Sequence, residues 1–352
     1  MKNSGKLVSF LVPIISILLA FVIGCIIMAV LGANPFVALE SLWIGAFGSL
    51  RNVGTTLARS TPLIFTSLCA CFAYRCGVFN LGGEGQFLMG SIVCCYIATQ
   101  SGIEGLPAIL LCLVGGAVAG GLWSLISGLL KVYRGQNEMI ITIMLNYVAL
   151  YLVEYLVNNP FKSEGMVVRT EEIQDSARLV SLVAHTRLNT GIFIALLAVF
   201  LFWVLFYKTK LGYEMRATGD SPFAAESAGI NNKKNLLAAM FISGALAGIG
   251  GACEVMGVQG YYISGMTTGY GFSGISVAAL ASDSPLGIIL AGIIFGALKT
   301  GAMYLNMMSQ IPTEFVSVIQ ALVVIFVSAP LLIRALIGAD RKPKKGGRSH
   351  AE

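Results

Sequence analysis

Leu106-Pro-Ala-Ile-Leu-Leu-Cys-Leu-Val-Gly-Gly-Ala-Val-Ala-Gly-Gly-Leu-Trp-Ser-Leu-Ile-Ser-Gly-Leu-Leu130 contains no charged side chain, and Glu104 and Lys131 stand just beyond its two ends. A helix needs about 20 predominantly apolar residues to cross the hydrocarbon core of a bilayer. This run is long enough, and its glycines let helix backbones approach closely where no hydrophobic force separates protein from lipid. Working outward in both directions, nine further apolar runs can be counted, at 7–31, 53–74, 82–99, 138–158, 190–207, 235–257, 270–282, 286–305 and 313–334. The run at 270–282 is short and glycine-rich, and Asp283, Ser284 and Pro285 cut it off from the next. It reads as a broken or re-entrant element. The predicted fold is an all-α polytopic membrane protein of about ten transmembrane or broken helices.

Composition agrees. Of 352 residues 56% are hydrophobic and 11% charged, with 41 glycines, and the mean hydropathy is +0.82. A soluble domain of this length has too little interior to hide that much apolar surface. Lys2 and Lys6 precede the 7–31 run like the charged start of a signal peptide, but the apolar stretch is longer than a signal core, so an uncleaved first span is expected. The formal net charge of +6 does not indicate nucleic acid, because Lys and Arg collect at the ends of apolar runs, where they orient helices. The eight cysteines lie mostly inside apolar runs and read as small buried hydrophobes. The two histidines, His185 and His350, have no ligand spacing, so no metal site is expected. No phosphate-binding Gly-x-x-x-x-Gly-Lys-Ser/Thr loop occurs. If ATP drives this protein, another chain must bind it.

Basic residues fix an orientation, since short cytoplasmic loops are enriched in them. Arg75, then Lys131 and Arg134, then Lys208, Lys210, Arg216, Lys233 and Lys234, then the tail from Arg334 fall on one side, whereas the 159–189 loop balances its Arg and Lys against Glu164, Glu171, Glu172 and Asp175. Both termini are therefore expected in the cytoplasm, provided that 270–282 counts as a crossing. With that count the blocks 53–158 and 235–334 have opposite orientations, the arithmetic of an inverted repeat, in which broken helices from the two halves meet near the midplane.

Three segments carry polar groups in apolar surroundings. In Arg75-Cys-Gly-Val-Phe-Asn-Leu-Gly-Gly-Glu-Gly-Gln86, Asn80, Glu84 and Gln86 either face a path through the bundle or cap and tie helices together. Glu138, Thr142, Asn146 and Tyr147 fall toward one helical face, open to the same pair of readings. Glu254, Gln259, Tyr261 and Tyr262 repeat the choice at the end of a later span. Between spans, Asp220 or Ser221 can cap a short helix that has Pro222 at its first position, continues through Ala224, Ala225 and Glu226, and ends at Gly229. Such a helix is either a plain linker or a docking knob.

Gly77-Val-Phe-Asn-Leu-Gly-Gly-Glu-Gly-Gln86, Asn137-Glu-Met-Ile with Leu145-Asn-Tyr147, and the 212–231 loop together resemble the permease subunits of ABC importers for nucleosides, within the ribose and branched-chain amino-acid permease superfamily. The resemblance runs from about residue 10 to 335. It implies a transmembrane permease domain over 1–334, a cytoplasmic coupling loop at 208–234, a basic cytoplasmic tail at 335–352 and a bacterial plasma-membrane location. It also implies a transport subunit that is not itself an enzyme, whose partners are an ATPase with two nucleotide-binding domains carrying ATP and Mg, a second permease subunit and an extracellular substrate-binding lipoprotein. Asp220, Ser221, Pro222, Ala224, Ala225, Glu226 and Gly229 would then dock into the ATPase. For a neutral nucleoside, stacking and amide groups suit the path, which selects Phe79, Asn80, Glu84, Gln86, Asn146, Phe272 and Ser273 as candidates. Uptake of ribose or another simple sugar is the alternative within the class. An ion-driven transporter using Glu84, Glu138 or Glu154 is the alternative outside it, and no catalytic pair supports a membrane enzyme.

Overall fold

The computed structural model describes residues 15, 18–27, 29, 34–183, 186–264, 269–282, 284–309 and 313–328. Much of the 7–31 span, the end of the 313–334 span, the 335–352 tail and both histidines lie outside the described residues. The elements, in chain order, are helices α1 (Leu18–Ile27), α2 (Pro35–Phe47), α3 (Leu50–Arg75), α4 (Gly83–Gln100), α5 (Leu106–Arg134), α6 (Glu138–Asn158), α7 (Gly191–Lys208), α8 (Lys210–Asp220), α9 (Pro222–Ser227), α10 (Asn232–Glu254), α11 (Tyr270–Leu280), α12 (Pro285–Ser309) and α13 (Glu314–Ser328). A π-helical segment, Val255–Gln259, extends α10. Of these, α3, α5, α6, α7, α12 and α10 with its extension are long and apolar enough to cross a membrane.

The described residues divide into two compact units, 36–316 and the first segment with the residues from 317 onward. In the smaller unit α1 packs on α13, where a Cβ added at Gly24 would stand 2.9 Å from Ile319 Cγ1. In the larger one, α4, α5 and α10 meet backbone to backbone. A Cβ at Gly248 would lie 2.1 Å from the Gly116 carbonyl oxygen, and one at Gly90 would lie 2.4 Å from Gly248 Cα. Small residues permit this approach, which van der Waals packing rewards in lipid.

Two helices start part-way through the bundle. After α3 the chain turns through Gly77 at φ +77° and residues 78–82 run back without helical structure. Consequently α4 begins level with Cys69, where a Cβ at Gly83 would stand 3.7 Å from the sulfur. That is six residues, about 9 Å, short of the end of α3. Likewise α11 begins beside the middle of α3, with the Thr66 hydroxyl donating to the Tyr270 carbonyl at 2.9 Å. Its 11 residues span only about 16 Å, so it is a partial helix, as the broken-element reading expects.

Helices α2 and α8 were not anticipated. The first is apolar but only 13 residues long and interrupted by Glu40, too short to count as a span, and the second is short and polar. Asp220 closes α8 and does not cap the next helix; Ser221 does, its side chain accepting from Ala224 N. Tyr147 leaves the polar face assigned to it. Glu138, Thr142 and Asn146 are buried at four-residue spacing, while Tyr147, one step round the helix, is half exposed.

Candidate functional site

The non-helical segment 78–82 has polar backbone groups that lipid cannot satisfy, and side chains close them. Asn80 and Gln86 form a reciprocal amide pair, each amide nitrogen donating to the other's carbonyl oxygen at 2.9 Å. Asn80 Nδ2 also donates to Ser243 Oγ on α10 at 2.7 Å, and Asn80 Oδ1 accepts from Gly82 N at 2.9 Å. From α6, Asn146 donates to the Leu81 carbonyl and accepts from Gly85 N, both at 2.8 Å. Thr142 Oγ1 accepts from Leu81 N at 3.3 Å. Asn80, Gln86 and Asn146 are thus buried ties between helices.

Glu84 stands where two helix N-termini meet. It lies in the first turn of α4, and its oxygens accept from Gly269 N at 2.9 Å and Gly271 N at 2.6 Å, the entry of α11. Both N-termini present unsatisfied N–H groups and partial positive charge, so one carboxylate serves two helices. The helices touch through glycine, because a Cβ at Gly271 would lie 2.2 Å from Glu84 N. Phe79 and Phe272, on either side of this junction in sequence, are 42% and 50% exposed. Ser273 is half-buried. Of the seven path candidates, Asn80, Glu84, Gln86 and Asn146 therefore gather at one junction, and the two phenylalanines offer open surface.

Sequence reading passed over Arg59 and Lys299. Each is a single cation inside an apolar run, a signal available without any structure. With Glu254 and Arg187 they line a cavity of about 120 Å³ that also touches Tyr270. Lys299 Nζ sits 4.3 Å from the Tyr270 ring centroid.

At the end marked by Arg75 and Lys208, α8 and α9 make an elbow. Residues 229 and 230 fold back on α9, Gly229 N donating to Glu226 O at 2.9 Å and Ile230 N to Ala225 O at 3.0 Å, with Gly229 at φ +79°. This is a Schellman ending. Asn232 Nδ2 donates to the Pro222 carbonyl at 2.7 Å, fixing the elbow to α10. Phe223 is 86% exposed, and Glu226 is exposed beside it, whereas Ala225 turns inward. The elbow touches the end of α3 and the turn that leads into segment 78–82, since a Cβ at Gly219 would lie 2.4 Å from the Arg75 carbonyl oxygen and 3.0 Å from Gly77 N.

Comparison with known proteins places these features in a family. Residues 52–328 match the family described as branched-chain amino acid transport system / permease component. The guanosine ABC transporter permease protein NupP of Bacillus subtilis is 37% identical over 343 residues, covering 96% of this chain and 98% of that protein. The nucleoside ABC transporter permease protein NupB of Lactococcus lactis is 35% identical over 370 residues, covering 99% and 100%. The glucose ABC transporter permease protein TsgB13 of Haloferax volcanii is 29% identical over 325 residues, covering 89% and 86%. No solved structure matches. A chain of membrane-spanning helices, matched over 277 residues by this family and end to end by its members, belongs to the ABC-transporter permeases and is a transport component rather than an enzyme.

Proposed function

We propose that this chain forms one membrane-spanning half of an ATP-driven importer of nucleosides. The observation that carries the reading is the end-to-end similarity to guanosine and nucleoside permeases at 37% and 35% identity, against 29% for the glucose permease. ATP and Mg belong to a partner ATPase with two nucleotide-binding domains; a second permease subunit completes the channel, and an external lipoprotein delivers substrate. The α8–α9 elbow, with Phe223 and Glu226 exposed, is the surface offered to the ATPase. Through Gly219 and Gly77 its displacement reaches segment 78–82 and the α4–α11 junction. The blocks 53–158 and 235–334 form an inverted repeat whose partial helices are α4 and α11, and both termini lie in the cytoplasm.

The test is uptake of labelled guanosine and uridine, beside ribose and glucose, by native cells with and without this gene. Loss of nucleoside uptake alone is expected. Loss of sugar uptake alone would move the assignment to the sugar branch, and unchanged uptake of all four would overturn it.

A further inference from the structure

The cavity beside Tyr270 is lined by charged groups from separate parts of the chain: Arg59 on α3, Arg187 from the loop before α7, Glu254 at the end of α10 and Lys299 on α12. Glu254 is within electrostatic reach of all three cations, yet it forms no ion pair with Arg59 or Arg187. One of its oxygens accepts from Gln259 Nε2 at 3.2 Å, and the other takes no hydrogen bond from the described residues. Arg59 Nε is buried without a partner. Carboxylate acceptor and guanidinium donors therefore face the same space with hydrogen-bonding capacity unused. In a bilayer that arrangement is costly unless something fills it. The π-helical segment carrying Gln259 departs from regular helix at this wall, as such segments often do at functional sites.

The occupant must both donate and accept. An inorganic anion only accepts and would leave the Glu254 oxygen facing it; a hydroxyl does both. Size narrows the choice further. A cavity of roughly 150 Å³ accommodates benzene, so about 120 Å³ is of the size of a single five-membered sugar ring. We propose that this cavity receives the ribose of a nucleoside, with Glu254 accepting from the vicinal 2′- and 3′-hydroxyls, Arg59 and Arg187 donating to sugar oxygens, and the Tyr270 ring lying against the sugar. This inference rests on the nucleoside reading above. It makes the sugar the part of the substrate that the permease itself inspects.

The complete importer, reconstituted in liposomes with saturating binding lipoprotein, is assayed for transport of labelled uridine and 2′-deoxyuridine. Comparing variants with wild type cancels whatever selectivity the lipoprotein imposes. Glu254→Gln is expected to slow uridine about tenfold and 2′-deoxyuridine less than about twofold, because a site built around a hydroxyl gains least from a substrate lacking it. Equal slowing of both, or no change in either, overturns the proposal. So does a chloride-for-gluconate dependence that Arg59→Gln abolishes while the ratio of the two rates stays fixed, which would mark an anion site. Should Glu254→Gln fail to assemble with the ATPase, Arg187→Gln, in the loop, must narrow the same ratio, and an unchanged ratio overturns the proposal. If the wild-type importer moves glucose and neither nucleoside, the nucleoside reading itself falls, an outcome distinct from a ratio that does not respond.

Discussion

Asn80 uses its short side chain five times: it exchanges two hydrogen bonds with Gln86, donates to Ser243 and, at 3.5 Å, to the Cys69 sulfur, and caps Gly82. Removing one member of such a buried network strands the others, and each stranded group costs about 1–3 kcal/mol. Asn80→Ala is therefore expected to lower the thermal midpoint of the nanodisc-embedded complex, with a loss of at least about 1–3 kcal/mol. An unchanged midpoint would mean that water replaces the amide and the segment is not sealed. The polar residues themselves were legible in the sequence, because lipid makes an amide or carboxylate conspicuous in an apolar run. Their partners were not. Glu84 bonds to residues 185 and 187 positions away, a separation at which spacing along one chain carries no information. Glu254 was noticed as polar, but its convergence with Arg59, Arg187 and Lys299 needed four chain segments to be folded first.

At the scale of elements, spans were read to within a few residues, since the apolar run and the helix are the same physical object: 53–74 became Leu50–Arg75 and 138–158 became Glu138–Asn158. Helix α8 was invisible because an 11-residue polar helix buries too little to leave a pattern. Yet α8 carries the contact on which the proposed coupling depends. Gly219 rests on the chain at Arg75–Gly77 with no space for a methyl group, the obstacle being backbone and unable to rotate away. Overpacking of this kind costs about 1–3 kcal/mol, and every 1.4 kcal/mol is about tenfold in a linked equilibrium. Gly219→Ala is expected to leave ATP hydrolysis by the assembled importer within about twofold of wild type while reducing uptake about tenfold or more. ATPase and uptake falling together would mean that the elbow is needed for assembly, and unaltered uptake would show that the contact transmits nothing.

Across the whole molecule, contacts at the two ends of the larger unit separate its faces. One end gathers the start of α3, where a Cβ at Gly54 would stand 2.9 Å from Thr186, and the loop strand in which Thr170 N donates to the Tyr262 carbonyl at 2.8 Å. The other gathers Arg75, whose guanidinium donates to the Tyr207 hydroxyl at 2.7 Å, with α8 and α9 beyond it. Helix α7, 18 residues long and so about 27 Å, leads from the loop to the elbow. Residue 164 and residue 223 are therefore expected on opposite sides of the membrane, and the excess of Lys and Arg around 208–234 predicts a cytoplasmic position for 223. Labelling with a membrane-impermeant maleimide decides it. Seven of the eight native cysteines, at 69, 71, 76, 94, 95, 112 and 253, are buried, and Cys25, which is half-buried, is replaced by serine in the background chain. Glu164→Cys is expected to label in intact cells and Phe223→Cys only after permeabilisation. The reverse pattern would invert the orientation and place the α8–α9 elbow outside, where no ATPase can reach it; labelling of both in intact cells would contradict the crossing by α7, on which the separation of the two faces depends.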